Sequence, residues 1–189
     1  MSNFLSNLVE VSGNENASSV DKGLVSDIRG FIDTGSYTLN ALLSGSLYGG
    51  IPDNKITALA GEQATGKTFF CFNILKTFLA DNPDGVVLYF DSEQAITSQM
   101  FSERDIDPSR VAVLPVSTIE EFRHQMIQVA DTYRAESDKK PILVILDSLG
   151  NLSTIKEMED TASGKNVRDM TKAQALKATF RTLTVKCGS

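Results

Sequence analysis

The sequence predicts an α/β fold in which a mainly parallel β-sheet is flanked by helices, and three observations lead to this prediction. Short apolar runs typical of buried strands recur along the chain, and helical patterns lie between them. A glycine-rich motif stands where the first of these runs passes into the first long helix. Strands that are apolar throughout and alternate with helices are typical of parallel sheets that are covered on both faces.

The composition fits one globular domain with a hydrophobic core. The chain has 189 residues, of which 41% are hydrophobic and 22% are charged. No apolar run approaches the roughly 20 residues that cross a bilayer. The first residues lack the basic start and the long apolar centre of a secretory signal, so we expect a cytoplasmic protein with no membrane partner. Cys71 and Cys187 show no metal-ligand or redox spacing, which favours structural thiols.

The N-terminal residues predict a separate helix and tether. One side of a short helix in NFLSNLVEV carries four apolar side chains: Phe4, Leu5, Leu8 and Val9. The polar run that follows, SGNENASSVDKG, is typical of a tether. We therefore expect residues 1–23 to form this helix and tether and residues 24–189 to form the core. Two alternatives remain open for the helix, which are folding back on its own domain and docking on a neighbouring subunit.

Four runs predict the strands: KITALA (55–60), GVVLYF (85–90), RVAVLPV (110–116) and PILVILD (141–147). Helices are predicted from Leu39 to Leu43, along KTFFCFNILKTFLA, near Ser98 to Arg104 and along TIEEFRHQMIQVADTYRAE. In the last helix, five side chains share one face: Ile119, Phe122, Met126, Ala130 and Tyr133. His124 lies off that face, which favours a solvated residue over a ligand or a base.

The segment GEQATGKT matches the full G-x-x-x-x-G-K-[ST] pattern of a phosphate-binding loop. Its glycines let the backbone curl so that successive N–H groups point at one anion, and the N-terminus of the following helix adds a positive field. Lys67 can reach the terminal phosphates of ATP, and the hydroxyl of Thr68 can take one position on Mg²⁺. A glycine-rich turn that binds nothing is the alternative. We expect all eight residues to line the nucleotide site: Gly61, Glu62, Gln63, Ala64, Thr65, Gly66, Lys67 and Thr68.

Acidic residues end two of the predicted strands. Asp147 follows the apolar run ILVIL, while Asp91 and Glu93 follow VVLYF. Because ligands bind at the carboxyl ends of parallel strands, we expect these acids near the phosphate-binding loop. Asp147 would then help to hold Mg²⁺. Glu93 would accept a proton from the water that attacks the terminal phosphate, and an exposed acid without function is the alternative.

Charge is distributed unevenly along the chain. The net charge is −6. Seven basic and four acidic residues follow from Lys156 onward, a net +3, so residues 1–155 carry −9. The acidic total argues against unspecific adhesion to nucleic acid, and a basic end is by itself more typical of a solvated face.

In combination these motifs resemble the ATPase core of the RecA-type recombinases. The segments LLSGSLYGGIP…ITALAGEQATGKT, VLYFDSEQAIT and ILVILDSLGNL follow the order and spacing of that family. FDSEQAIT and DSLGNLSTIKEMEDT…DMTKAQALKATFR resemble the UvsX-like recombinases of tailed bacteriophages. The resemblance covers residues 24–189 and implies a P-loop NTPase fold of RecA type, in the host cytoplasm if a phage carries the gene.

The resemblance implies a DNA-dependent ATPase that forms helical filaments on single-stranded DNA and promotes strand exchange with homologous duplex DNA. ATP and Mg²⁺ are the implied cofactors, with Glu93 and Lys67 as catalytic residues. Recombination mediators and single-strand-binding proteins are implied partners, and residues 1–23 would pack between filament subunits. The segment 156–166 corresponds to the first DNA-binding loop, and three basic residues would contact DNA phosphates: Lys165, Arg168 and Lys172.

The chain departs from the family pattern in two places. Bacterial members of the family place an aromatic residue a few positions after the catalytic glutamate to stack on adenine, whereas ITSQMF offers Met100 or Phe101, with Met100 as the candidate. Family members also continue into another core strand, between the strands of the P-loop and of Asp147, and into a second DNA loop. We therefore expect the N-terminal portion of a longer recombinase, truncated before the later core strands and able at most to bind nucleotide.

Two other function classes remain open at this stage. One is a RecA-fold hexameric helicase or clock-type ATPase, which shares the same core but which the segment after Asp147 disfavours. The other is a non-motor P-loop enzyme such as a small-molecule kinase, which needs a substrate lid and arginine clamps that the sequence does not indicate.

Overall fold

The computed structural model describes residues 3–14, 17, 19–24, 26–164 and 171–187. Within them the helices are α1 (Asn3–Val11), α2 (Tyr37–Ser44), α3 (Lys67–Asp81), α4 (Ser98–Ser102), α5 (Ile119–Ala135), α6 (Ile155–Ala162) and α7 (Lys172–Cys187). The strands are β1 (Phe31–Ile32), β2 (Ile51–Pro52), β3 (Val86–Asp91), β4 (Val111–Pro115) and β5 (Ile142–Asp147). Short 3₁₀ turns cover Val20–Lys22, Pro108–Arg110 and Leu149–Asn151.

The core of the fold is a three-stranded parallel sheet in the order β4–β3–β5. Its central strand, β3, pairs with β4 along one edge and with β5 along the other. In the second pairing Val86 stands opposite Ile142 and Asp91 stands opposite Asp147, so both strands end at the same edge. The prediction of a parallel sheet is confirmed, with strands from the runs at 85–90, 110–116 and 141–147.

The predicted strand at 55–60 is wrong for this structure. Residues 56–60 have no regular secondary structure, and Ile56 is 53% exposed. A strand requires a neighbouring strand that satisfies its backbone N–H and C=O groups. No strand among the described residues pairs with this segment, so the apolar pattern alone does not make it a strand.

Helix α3 covers one face of the sheet. Four of its five buried side chains belong to one cluster: Phe72, Leu75, Phe78 and Leu79. They pack against Val87, Tyr89 and Ile145 from the central strands, and Phe101 of α4 completes this cluster. Alternation along β3 explains the arrangement, because successive residues of a strand point to opposite faces.

Helices α5 and α7 cover the opposite face. Phe90 of β3 packs edge-on against Phe122 of α5, with ring centroids 5.0 Å apart. Leu183 of α7 belongs to the same buried cluster. Four of the five apolar residues predicted to share a face of α5 are buried: Ile119, Phe122, Met126 and Ala130. His124 is exposed, as predicted.

The N-terminal helix forms as predicted, but its apolar side does not pack on the core. Phe4 is 73% exposed and Leu8 is 53% exposed. The structure therefore does not show α1 folded back on its own domain. None of the helices in the described ranges combines the length and the apolar character needed to cross a membrane.

The segment at 156–166, expected to be a DNA-binding loop, is helical over most of its described length. Thr154 caps α6, and its side chain accepts a hydrogen bond from the backbone N–H of Glu157 at 3.0 Å. A threonine followed three residues later by glutamate is a capping-box pattern, which stabilises a helix start. The local sequence therefore favours a helix where the family resemblance suggests a loop.

Two phenylalanines on α3 give a test of this packing. Phe72 is 1% exposed and contacts both Tyr89 and Phe101, whereas Phe69 is 55% exposed on the same helix. We expect Phe72→Ala to lower the free energy of unfolding by about 3–5 kcal/mol, because it removes buried contacts and leaves a cavity. Phe69→Ala, the matched control, should change it by less than about 1 kcal/mol. Urea denaturation followed by circular dichroism measures both, and equal losses would contradict the assigned packing.

Candidate nucleotide-binding site

The loop before α3 is curled by two residues in the left-handed backbone region. Ala64 has φ of 61° and Gly66 has φ of 90°, and Gly66 is the N-cap of α3. Thr65 closes the loop by donating a hydrogen bond from its hydroxyl to the carbonyl of Glu62 at 2.8 Å. The loop therefore leads directly to the positive N-terminal end of a 15-residue helix, which is the arrangement that binds phosphate.

Lys67 lies across this loop. Its ammonium group donates hydrogen bonds to the carbonyl of Gly61 at 2.9 Å and to the carbonyl of Glu62 at 2.6 Å. The lysine side chain therefore reaches back across the loop to its first two residues. A cation in this position can pair with a phosphate that enters the loop.

Thr68 and Asp147 meet at the base of the loop. The hydroxyl of Thr68 donates a hydrogen bond to Oδ2 of Asp147 at 2.6 Å, across 79 residues of sequence. The phenol of Tyr89 donates to the same oxygen at 2.8 Å. The structure therefore brings together the two residues predicted to bind magnesium, and it adds a tyrosine that the sequence interpretation did not identify.

Two neighbouring groups are kept protonated by this environment. Burial raises the pKa of the Cys71 thiol to about 12, and the negative charge of Asp147 acts in the same direction. The pKa of the Tyr89 phenol is also raised, by burial first and then by the charge of Asp147 and its hydrogen bond. Neither group supplies a second negative charge beside Asp147. Cys71 is a free thiol, as predicted.

Asp91 closes the turn that follows β3. It is 4% exposed, and its two carboxylate oxygens accept hydrogen bonds from the backbone N–H groups of Glu93 at 3.0 Å and Ile96 at 3.1 Å. A carboxylate whose oxygens are engaged by the backbone in this way shapes the turn rather than taking part in chemistry. Asp91 therefore holds the turn that leads to Glu93.

Glu93 is exposed at the same edge of the sheet. Its Oε1 accepts a hydrogen bond from the hydroxyl of Ser148 at 3.0 Å. Ser148 follows Asp147 through a cis peptide bond, and its N–H and C=O both pair with the hydroxyl of Ser92 at 2.8 Å. The turns after β3 and β5 are therefore hydrogen-bonded to one another, and this holds Glu93 beside the strand that carries Asp147.

The two candidates for contact with adenine differ in burial. Phe101 is 5% exposed and packs against Phe72 with ring centroids 5.1 Å apart, so its ring belongs to the core. Met100 is half-buried beside the same cluster. Of the two side chains, Met100 is the one that retains an accessible surface.

Of the three basic residues predicted to contact DNA, the structure describes one. Lys172 begins α7, and its ammonium group donates a hydrogen bond to the carbonyl of Gly150 at 3.3 Å. Gly150 lies in the turn that carries Ser148, so Lys172 stands near the nucleotide edge of the sheet. Lys165 and Arg168 lie outside the described residues.

The donor set fits ATP with magnesium. Magnesium prefers oxygen ligands and retains much of its water, and a hydroxyl beside a carboxylate is a suitable partner. Thr68 and Asp147 provide that pair, while Lys67 and the start of α3 provide positive charge for phosphates. No cluster of three or more His, Cys, Asp or Glu side chains in the described ranges could hold a metal instead.

Three curated relatives were compared with the chain. It is 32% identical over 184 residues, 97% of its length, to the recombination and repair protein of Enterobacteria phage T4, of which it covers 46%. It is 27% identical over 153 residues, 75% of its length, to the RecA protein of Malacoplasma penetrans, covering 44% of that protein. It is 27% identical over 129 residues, 68% of its length, to the DNA repair and recombination protein RadB of Thermoplasma acidophilum, covering 53%.

The matches cover most of this chain but only part of each relative. No family model matches the chain. The chain spans about half the length of the curated relatives that it matches. The T4 protein matches 97% of the chain, a span that includes the P-loop, both acidic strand ends and the parallel sheet described above. The T4 protein matches almost the whole chain, and relatives from bacteria and archaea match most of it, so the chain belongs to the RecA-type recombinase family.

Proposed function

We propose that this chain carries the nucleotide site of an ATP-dependent homologous-recombination protein that assembles on single-stranded DNA and promotes strand exchange with homologous duplex DNA. The observation that carries the proposal is the convergence of four side chains at one edge of the sheet: Lys67, Thr68, Glu93 and Asp147. The names of the relatives, which are recombination and repair proteins, support the recombination role. We place its action in the cytoplasm, where recombination mediators and single-strand-binding proteins would be its partners.

Phosphate binding would rest on the loop and on Lys67. The residues from Gly61 to Thr68 would surround the phosphates of ATP, with Met100 near the base. Thr68 and Asp147 would hold Mg²⁺, which when bound neutralises charge on the phosphates. The short hydrogen bond between these two residues already sets their separation, so little rearrangement is needed to hold the metal.

Hydrolysis would use Glu93 as the general base. Its carboxylate is exposed and engages one serine hydroxyl, so a lone pair remains for the water that attacks the terminal phosphate. Glu93 would accept the proton of that water as the oxygen–phosphorus bond forms. Asp91 is not a competing candidate, because its oxygens are occupied by backbone N–H groups.

DNA contact would use the basic end of the chain. Lys172, at the start of α7, would contact DNA phosphates together with Lys165 and Arg168, which lie outside the described residues. The exposed Lys177 and Arg181 extend positive charge along the same helix. Basic side chains grouped in this way bind phosphates without reading sequence, as a recombinase that accepts any strand requires.

Self-association would use α1 and the outer edge of the sheet. In α1 the side chains of Phe4 and Leu8 are exposed on the apolar side. The sheet ends at β4, beside which a groove of about 290 Å³ is lined by Ile96, Thr97, Ser98, Phe101, Pro108, Val111 and Val113. An apolar helix on a tether and an apolar groove at a strand edge are suitable partners between two copies of the chain.

Nucleotide binding gives the first test. We expect Lys67→Ala to weaken binding of a fluorescent ATP analogue by roughly 10- to 100-fold, because it removes charged hydrogen bonds to phosphate. Glu93→Gln should leave that affinity within about twofold, yet in the full-length protein it should lower the hydrolysis rate by about 100-fold or more. Fluorescence titration and phosphate release measure the two effects. Equal loss of binding in both variants would contradict the role of Glu93 as general base and would indicate a structural role.

DNA binding gives the second test. We expect Lys172→Ala in the full-length protein to weaken binding to single-stranded oligonucleotides and to lower the slope of log affinity against log salt by about one. Lys139→Ala, which changes an exposed lysine beside Tyr133, is the matched control and should leave the slope unchanged. Fluorescence anisotropy at several salt concentrations gives the slopes. The DNA assignment would be wrong if both variants behaved alike.

Assembly gives the third test. We expect Leu8→Asp to prevent filaments of the full-length protein with ATP and single-stranded DNA in electron microscopy, because a charge replaces a contact worth about 1.5–3 kcal/mol. Asn7→Asp places the same charge on an exposed neighbouring position and should leave filaments intact. For the full-length protein without substitutions, rings in place of filaments would favour a hexameric motor, and no assembly at all would favour a non-motor enzyme.

A further inference from the structure

The hydroxyl of Tyr89 lies in an unusual place for a core tyrosine. Tyr89 is 0% exposed and stands opposite Ile145 in the pairing of β3 with β5. Asp147 is two residues beyond Ile145 and therefore lies on the same face of the sheet. The ring of Tyr89 crosses diagonally from β3, and its hydroxyl donates to Oδ2 of Asp147 at 2.8 Å.

The tyrosine ring is held in this position by its neighbours. Phe72 of α3 packs on it with ring centroids 5.9 Å apart, and Phe72 is itself 1% exposed. A ring packed between a helix and a sheet has little freedom to rotate. The hydroxyl is therefore fixed at the end of β5 whether or not a ligand is present.

The carboxylate of Asp147 is engaged on one side only. Oδ2 accepts two hydrogen bonds, from the hydroxyl of Thr68 at 2.6 Å and from the hydroxyl of Tyr89 at 2.8 Å. Oδ1 accepts no hydrogen bond from the residues that the structure describes. Two donors on one oxygen fix the plane of the carboxylate, and they leave the other oxygen for water or a metal shell.

Packing alone does not explain the hydroxyl. Phenylalanine would fill the same ring volume against Phe72, and a buried hydroxyl costs free energy unless it forms a hydrogen bond. In the structure, the hydrogen bond that satisfies this hydroxyl is the one to Asp147. Core packing therefore explains the ring of Tyr89, and the hydrogen bond to Asp147 explains its hydroxyl.

We propose that Tyr89 is a positioning residue for the magnesium site, which orients Asp147 so that Oδ1 faces the metal and its water shell. The inference rests on the proposed function, because that function assigns Asp147 to the metal. Tyr89 does not touch the metal or the nucleotide in this scheme and acts through Asp147 alone. Partners of this kind, which hold a ligand in place, commonly change metal affinity about 10- to 100-fold when they are removed.

The test compares magnesium dependence with nucleotide affinity in the 189-residue chain. Binding of N-methylanthraniloyl-ATP is titrated with Mg²⁺ and, separately, in EDTA. We expect Tyr89→Phe to raise the Mg²⁺ concentration at half-saturation by about 10-fold while the affinity in EDTA stays within about twofold. Tyr133→Phe is the matched control and should change neither value, since Tyr133 lies on α5, on the opposite face of the sheet, and its hydroxyl donates to the carbonyl of Lys140.

The outcomes separate the inference from the function on which it rests. If Asp147→Asn raises the Mg²⁺ requirement and Tyr89→Phe does not, the inference is overturned and the proposed function stands. If Asp147→Asn has no effect, the metal assignment itself fails. Loss of binding by Tyr89→Phe in EDTA and in Mg²⁺ alike overturns the inference too, because the tyrosine then supports only the fold. In the Asp147→Asn background, Tyr89→Phe should add no further change.

Discussion

The parallel register between β3 and β5 is the constraint on which the rest of the structure depends. Asp91 stands opposite Asp147, so the turns that follow the two strands begin side by side and hydrogen-bond to one another through Ser92 and Ser148. A slip by one residue would turn Tyr89 away from α3 and exchange the faces of the whole strand. The packing of the core and the position of the acidic groups are therefore determined by the same set of hydrogen bonds.

Three acids at one edge of the sheet differ in their surroundings, and the roles proposed for them follow from those surroundings. Asp91 is buried and bonded to backbone N–H groups, so it shapes the turn. Asp147 receives two hydroxyls on one oxygen, which suits a residue that holds a metal shell at a set angle. Glu93 is exposed and bonded to one hydroxyl, which leaves it able to exchange a proton with water. Under the proposed function, this small region of the sheet edge would hold a structural, a metal-binding and a proton-accepting carboxylate side by side.

The sequence predicted the core of this fold because its signals are local. The strands that become β3, β4 and β5 are apolar and short, and the loop at Gly61–Thr68 matches every position of a phosphate-binding pattern. Contacts made across the sheet were not predictable in the same way. The apolar pattern of β3 predicts that Tyr89 is a core residue. Only the pairing of β3 with β5 shows that its hydroxyl reaches Asp147. The run at 55–60 illustrates the converse, since an apolar pattern indicates a strand only when another strand is there to pair with it.

The position of Lys67 bears on which anions the loop can retain. In the structure its ammonium group already bonds to the carbonyls of Gly61 and Glu62. An anion that binds Lys67 must compensate for these two hydrogen bonds, which are lost when the lysine moves. The net free energy of binding is therefore much smaller than the attraction between the anion and the ammonium group. A lone inorganic phosphate has few other contacts with which to offset this loss. A nucleoside triphosphate has several, so these contacts of Lys67 would favour a nucleoside triphosphate over a lone phosphate.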